Sequence, residues 1–254
     1  MAARCNRRSA RVNPCEQNRP VFVTTTKPPA CQTARMAAFS SGHSKFMKLT
    51  LYTGGFCDTN GYLAETPEGN FLVDAPEGIA AWVAKRGVRV DDVLLTHQHF
   101  DHVMDAAALQ AAGARLHAFE DYSTDLTLEE MVRQGGMDFV VPPFRIDRRL
   151  AVAAGVPWQL GNLKFALYHI PGHAPDSVVF HLPDLELAFS GDTLFAGSIG
   201  RTDLPGGSGR DLLGSILNKL LVLDDATKVL PGHGPSSTIG LERVTNPFLE
   251  GLTL

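Results

Sequence analysis

Thr96-His97-Gln98-His99-Phe100-Asp101-His102 gathers three imidazoles and one carboxylate within six residues. Side chains of these types bind borderline-hard divalent ions such as zinc, iron or manganese. Three of the nine histidines of the chain fall in this one stretch, a density that a merely solvated loop rarely shows. The apolar run Val93-Leu94-Leu95 precedes it, so the loop reads as the end of a strand. There His97 and His99 can project to one side, with Asp101 and His102 following as the chain turns into a helix. Two neighbouring metal positions can be served from one such loop.

Further donors recur downstream. Pro171-Gly172-His173, Ser190-Gly191-Asp192 and Pro231-Gly232-His233 each follow an apolar segment, so each again puts a candidate ligand at a strand end. His169 competes with His173, but the Pro-Gly turn favours His173 as the exposed imidazole. His117 and His181 lie in apolar runs and read as core or rim residues. Cys57, the only cysteine after residue 31, reads as a buried small residue.

The elements that must carry these loops are short. Lys48–Tyr52 reads as a strand, and Tyr62–Thr66 with Asn70–Val73 as a hairpin turned at Pro67-Glu68-Gly69. Ile79–Lys85 reads as helical, Asp91–Thr96 as a strand, His102–Ala112 as one helix stopped by Gly113, and Arg115–Phe119 as a strand. Thr127-Leu128-Glu129-Glu130 resembles a capping box opening a helix that ends at Gly135-Gly136. Residues 120–148 can serve as a pocket wall or as a surface excursion. Hairpins follow at Gly161-Asn162 and Pro183-Asp184, then a Gly-rich run 197–209. Ser208 is placed to cap a helix Asp211–Leu221, and Thr227–Leu230 is a last strand. Periodicity alone supports α/β or α+β.

An apolar content of 44% over 254 residues can fill a substantial core. Residues 1–48 hold nine Lys/Arg against Glu16 alone, whereas the remainder holds 14 basic and 26 acidic residues. An acidic body is a poor partner for nucleic acid, whose binding needs phosphate neutralisation. No apolar stretch approaches the ~20 residues of a membrane span, and one cysteine in the body builds no disulfide framework. Oligomeric state is not legible in the sequence.

His-x-His-x-Asp-His, followed in order by His173, Asp192 and His233, resembles the metallo-β-lactamase fold superfamily. Residues 191–207 (Gly-Asp-Thr-Leu-Phe-Ala-Gly-Ser-Ile-Gly-Arg-Thr-Asp-Leu-Pro-Gly-Gly) are similar to hydroxyacylglutathione hydrolase (glyoxalase II)-like proteins. So are Pro231–Pro235, Ser237–Gly240 and Thr245–Phe248. The resemblance implies a four-layer αββα sandwich over residues 47–254. It implies two divalent ions, zinc before iron or manganese: His97, His99 and His173 hold one, Asp101, His102 and His233 the other, and Asp192 bridges. It further implies hydrolysis of a small-molecule thioester of the S-lactoylglutathione type by a metal-bound hydroxide, with Asp101 orienting the nucleophile or taking its proton. Asp74 would brace the first ligand loop or act as a turn residue. Arg201 would meet an anionic substrate or pair with Asp203.

Two other readings stand beside this one. A persulfide dioxygenase on the same fold would use a single iron; it shares Gly200–Asp203, but Gly232-His233-Gly234-Pro235 favours the hydrolase. A non-catalytic metal-binding module would need only four closed ligands. The helical region with which glyoxalase II contacts glutathione is not matched in the 21 residues after His233, where Arg243 is the one basic residue.

Residues 1–46 are Arg-rich, nearly free of acids and broken by Pro20 and Pro28-Pro29. That is the composition of a transit peptide, so import into a plastid or mitochondrion is expected, with a cytoplasmic location as the alternative. Such a segment cannot contribute to a core. A chain starting at Met47 should therefore fold and take up metal as the full chain does; aggregation or loss of metal binding on truncation would make the leader structural.

Overall fold

The computed structural model describes residues 47–136, 140–150 and 157–251; the leader lies outside them. Alternation of inward and outward apolar residues sets up the first sheet. β1 (Lys48–Gly54) pairs antiparallel with β2 (Thr59–Thr66), and β2 with β3 (Gly69–Val73) across the Pro67-Glu68 turn. In β2 and β3, Tyr62, Ala64, Phe71 and Val73 face one core while Leu63 and Leu72 face another, as a side-chain period of two requires.

The chain then crosses over through α1 (Ile79–Lys85) to β4 (Asp92–Leu94), which is parallel to β3. β4 is buried on both faces, hence the apolar Val93-Leu94 that runs on into Leu95, with its one carboxylate, Asp92, paired to Arg115 and His117. Two short helices follow, α2 (Phe100–Val103) and α3 (Ala106–Ala111), then β5 (Arg115–Ala118). The single helix expected over 102–112 is thus split at Asp105. The reason is tertiary: Ala75 N–H donates to His102 O, and Asp105 N–H to Ala75 O, while the Asp105 side chain accepts from Ala80 N–H at the start of α1. α4 (Thr124–Thr127) and α5 (Glu129–Gln134) lead to the edge strand β6 (Arg148–Arg149). The capping box expected at Thr127 does not form. Ser123 caps α4, Thr127 Oγ1 donates to Thr124 O, and Glu129 turns inward to accept from Val141 N–H at 3.0 Å.

The second sheet is built from β7 (Trp158–Leu160), β8 (Leu163–His169), β9 (Val178–Leu182) and β10 (Leu187–Gly191). A small ribbon of β11 (Leu194–Phe195) and β12 (Ser198–Ile199) comes next, then α6 (Gly209–Ser215), capped by Ser208 and extended by a π turn to Leu220. β13 (Lys228–Pro231) pairs parallel with β10, and β14 (Ser237–Thr238) closes the edge before α7 (Ile239–Thr245).

The two sheets run in the orders β1-β2-β3-β4-β5-β6 and β14-β13-β10-β9-β8-β7. Their inner faces meet in one cluster, where Tyr62 lies edge-on to Phe189 and Phe71 to Phe165. α1 to α3 cover the outer face of the first sheet through Ile79, Val83, Val103 and Leu109. α6 and α7 cover the second through Leu212, Ile216 and Ile239. The four-layer αββα sandwich is therefore present. Met47 belongs to the inter-sheet core. No helix among the described residues is long and apolar enough to cross a membrane.

Phe180 is fully buried between the sheets, against Phe165 and Trp158. Phe180→Ala should lower the unfolding free energy by about 3–5 kcal/mol in a urea titration. A loss below about 1 kcal/mol would mean the inner faces do not interdigitate as described.

Candidate metal centre

The candidate ligands all leave strand ends on one edge of the sandwich. Leu95 N–H still pairs with His117 O, and from Thr96 onward the chain breaks out of the sheet. His97, His99 and His102 are buried there. His173 lies on the turn between β8 and β9, Asp192 just past β10, and His233 just past β13. Three donor sets converge: His97 with His99 and His173, Asp101 with His102 and His233, and His97 with His102 and Asp192.

Asp192 sits at the centre. Its Oδ1 is 3.4 Å from His102 Nε2, and its Oδ2 is 3.5 Å from His173 Nε2 and 3.4 Å from His233 Nε2. His233 Nε2 is 3.2 Å from Asp101 Oδ2. Atoms sharing one tetrahedral ion at ~2.0–2.1 Å sit about 3.3–3.4 Å from each other. The spacing is that of ligands around an ion.

The imidazoles are aimed by their outer nitrogens. Nδ1 of His173 meets Arg201 O at 2.8 Å, Nδ1 of His102 meets Asp74 Oδ2 at 2.9 Å, and Nδ1 of His233 meets Cys57 O at 3.1 Å. Nδ1 of His97 lies 3.2 Å from Thr96 Oγ1, which itself donates to Asp74. Where Nδ1–H donates outward, Nε2 presents its lone pair inward, as metal-bound histidines do. Nε2 of His97, His102 and His173, and Oδ1 of Asp192, are buried without any hydrogen-bond partner. Orphaned buried polar atoms are rare and require an explanation. A bound cation gives these four one explanation, so the residues fit the metals that the resemblance implies.

The electrostatics divide the imidazoles: two are held neutral, while His102 and His233 are pushed up by the carboxylates against burial and would give up a proton on taking an ion. Burial holds His99 down to about 3 and His97 well below its ordinary value, so both are neutral, as ligands must be. Burial would also lower His102, but Asp101, Asp192 and Asp74 together push it up. Burial would raise Asp192, yet His102 and His233 draw it well below the usual carboxylate range. Burial would raise Asp101 too, but His102 and His233 hold it down to about 2, so the site keeps two ionised carboxylates facing the imidazoles.

Asp74 is the hinge of the arrangement. It is buried, takes a left-handed backbone (φ 61°), and accepts from Thr96 N–H, from Thr96 Oγ1 and from His102. Asp tolerates this conformation better than most residues. Gly232 leaves room for the centre: a Cβ there would lie 2.2 Å from Asp192 Oδ1 and 2.5 Å from His102 Cε1.

Other expectations resolve differently. His169 Nε2 bonds to Pro175 O and its ring stacks on Phe119, so it is not among the converging donors. Arg201 forks onto Asp203 at 2.8 and 2.7 Å, both largely exposed. The start of segment 120–148 backs the ligand loop, since Gln98 Nε2 donates to Glu120 O and Asp121 O. Cys57 is half-buried rather than buried, because it lies on the β1–β2 turn over His233. Thr59, Asn60 and Tyr62 carry roles that sequence reasoning missed. Thr59 Oγ1 donates to Asp101 Oδ2 at 2.7 Å, and the Asn60 amide and Tyr62 hydroxyl both donate to Pro231 O before His233. Polar side chains on an otherwise buried strand are the only trace of this in the sequence.

The model of the Metallo-beta-lactamase superfamily matches residues 54–233. An uncharacterized protein of Mycobacterium tuberculosis is 40% identical over 230 residues, covering 82% of this chain and all of its own length. Hydroxyacylglutathione hydrolase GloC of Haemophilus influenzae is 36% identical, over 72% of this chain and 88% of its own. Among solved structures, BLEG-1 B3 metallo-beta-lactamase superposes with a TM-score of 0.71 at 32% identity, covering 80% of this chain and 100% of its own. TTHA1623 in a di-iron-bound form gives 0.66 at 39%, covering 78% and 99%.

Asp74→Ala removes the acceptor that aims His102 and steadies Thr96 while leaving every converging donor in place. Metal affinity should fall by about 10–100-fold, read by competition with a chromophoric chelator, with the far-ultraviolet circular dichroism unchanged. Unaltered affinity would show that Asp74 only shapes the turn.

Proposed function

The chain belongs to the metallo-beta-lactamase superfamily, and on that premise we propose that it is a metal-dependent hydrolase acting on a thioester of a small thiol. The observation that carries the proposal is the pair of donor sets joined through Asp192. In this reading His97, His99 and His173 would hold one divalent ion and Asp101, His102 and His233 the other, with zinc, iron or manganese as the metal. The 36% identity to a hydroxyacylglutathione hydrolase supports the substrate class.

Bound between these residues, two divalent ions would bring the pKa of a coordinated water towards ~7 and stabilise charge building on the substrate oxygen. The protein's own contribution is orientation. His97, His99, His102 and His173 are buried, the Asp192 and Asp101 side chains keep 10% and 13% of their surface, and His233 is the most open at 28%. Substrate therefore approaches over the Asp101–His233 side. Thr59 Oγ1 holds Asp101 Oδ2 there, where that oxygen can orient an attacking water or take its proton. Arg201 is tied to Asp203 by an exposed pair that solvent screens, so it can be released to an anionic substrate at little cost.

A second donor set also supports this reading over a non-catalytic metal-binding module, and Gly232-His233-Gly234-Pro235 supports it over a dioxygenase built on one iron. Asp192→Asn barely changes volume but weakens a contact shared by His102, His173 and His233. It should depress thioester cleavage by at least about 10²-fold, an expectation taken from the size of single electrostatic contributions to catalysis. Wild-type protein should cleave S-lactoylglutathione or a related small thioester without consuming oxygen. Oxygen uptake with glutathione persulfide, and no thioester cleavage, would replace the hydrolase by the dioxygenase.

A further inference from the structure

The segments Ser237–Gly240 and Thr245–Phe248 fall on α7 and its flanks, away from the donors, yet they are wired to the centre. Glu242 is 1% exposed and Asn246 3%. Glu242 Oε2 accepts from Gly197 N–H at 2.8 Å and from Asn246 Nδ2 at 2.8 Å, and Oε1 accepts from Ser237 Oγ. Asn246 Nδ2 donates also to Ser198 O at 3.0 Å. No cation pairs with the Glu242 carboxylate among the described residues. A buried carboxylate satisfied only by hydrogen bonds is costly to keep, and its partner Gly197 lies on another element, as does Ser198, the partner of Asn246.

That element is the ribbon β11–β12. It leaves the sheet directly after Asp192 and returns at Gly200-Arg201, whose carbonyl aims His173. There is no slack at its base. Gly200 N–H donates to Thr193 O, and a Cβ on Gly200 would lie 1.9 Å from Asp192 O and 3.1 Å from His173 Cβ. Holding the ribbon's turn therefore holds Asp192 and the acceptor of His173 together.

We infer that Glu242 and Asn246 are positioning residues for the metal centre, acting through the 194–199 ribbon to keep Asp192 and the Arg201 carbonyl in register with His173. The inference rests on the metal-centre reading above. Neither residue touches metal or substrate; both act through backbone atoms of the ribbon. Ser237 bonds to the same carboxylate but to nothing on the ribbon, and so provides an internal control.

The test is titration of the metal-free full-length protein with zinc against a chromophoric chelator. Glu242→Ala and Asn246→Ala should each weaken at least one of two zinc equivalents by about 10–100-fold, the range found when the support of a metal ligand is removed. Ser237→Ala should bind both as wild type does. Glu242→Gln should restore binding, since its amide oxygen can accept from Gly197 and Asn246 while its N–H meets Ser237. In a His173→Ala background, Asn246→Ala should cause a smaller loss or none, because only Asp192 is left to be displaced. Should Glu242→Ala not fold, Asn246→Ala and the His173 pairing still decide the matter. Wild-type affinity at both positions in Asn246→Ala, equal loss in Ser237→Ala, or an undiminished loss in the His173→Ala background would overturn the inference. Wild-type protein that takes up fewer than two equivalents would defeat the metal-centre reading itself, a result visible before any variant is compared.

Discussion

The structure turns on a group of buried donor atoms that satisfy one another poorly. Nε2 of His97, His102 and His173 and Oδ1 of Asp192 converge without hydrogen-bond partners, and leaving such atoms unpaired in a protein interior costs roughly 1–3 kcal/mol each. No group among the described residues relieves all of them at once, whereas a divalent cation would. The local geometry is therefore a compromise made in favour of a ligand, and the rest of the fold must resist its collapse.

Resistance comes from the second set of contacts, those behind the imidazoles. Asp74, the carbonyls of Arg201 and Cys57, and Thr96 each fix one ring. They are themselves fixed by strand ends packed over the inter-sheet core. The two halves of the sandwich contribute unequal shares: the first sheet carries His97 to His102 and Asp74, the second carries His173, Asp192 and His233. The centre lies where they meet, so inter-sheet packing and site geometry are one problem. Bonds such as Val178 N–H to Thr96 O and Asn60 N–H to Gly232 O stitch the halves together at the site.

The sequence exposes part of this plainly. The donors are legible because each belongs to a metal-capable residue type in a short motif after an apolar run, and the αββα layering follows from resemblance more than from periodicity. Elements set by local pattern, such as the hairpins turned at Pro67-Glu68-Gly69 and Gly161-Asn162, are found close to where pattern puts them. What stays hidden is non-local. The break at Asp105 depends on Ala75 and Ala80, and Thr127 lies inside α4, which Ser123 caps from upstream. Glu242 reaches Gly197 across 45 positions. A buried glutamate on a helix has no signature in one sequence that distinguishes it from a solvated one.

The central claim is that two ions share Asp192 between the His97–His99–His173 and Asp101–His102–His233 sets. Anomalous X-ray scattering from crystals of the metal-loaded protein tests it most directly. The account predicts two peaks about 3.5–4 Å apart, with a carboxylate oxygen of Asp192 between them. A single peak at the His97–His99–His173 position in fully loaded crystals, with Asp101 and His233 bound only to each other, would contradict it.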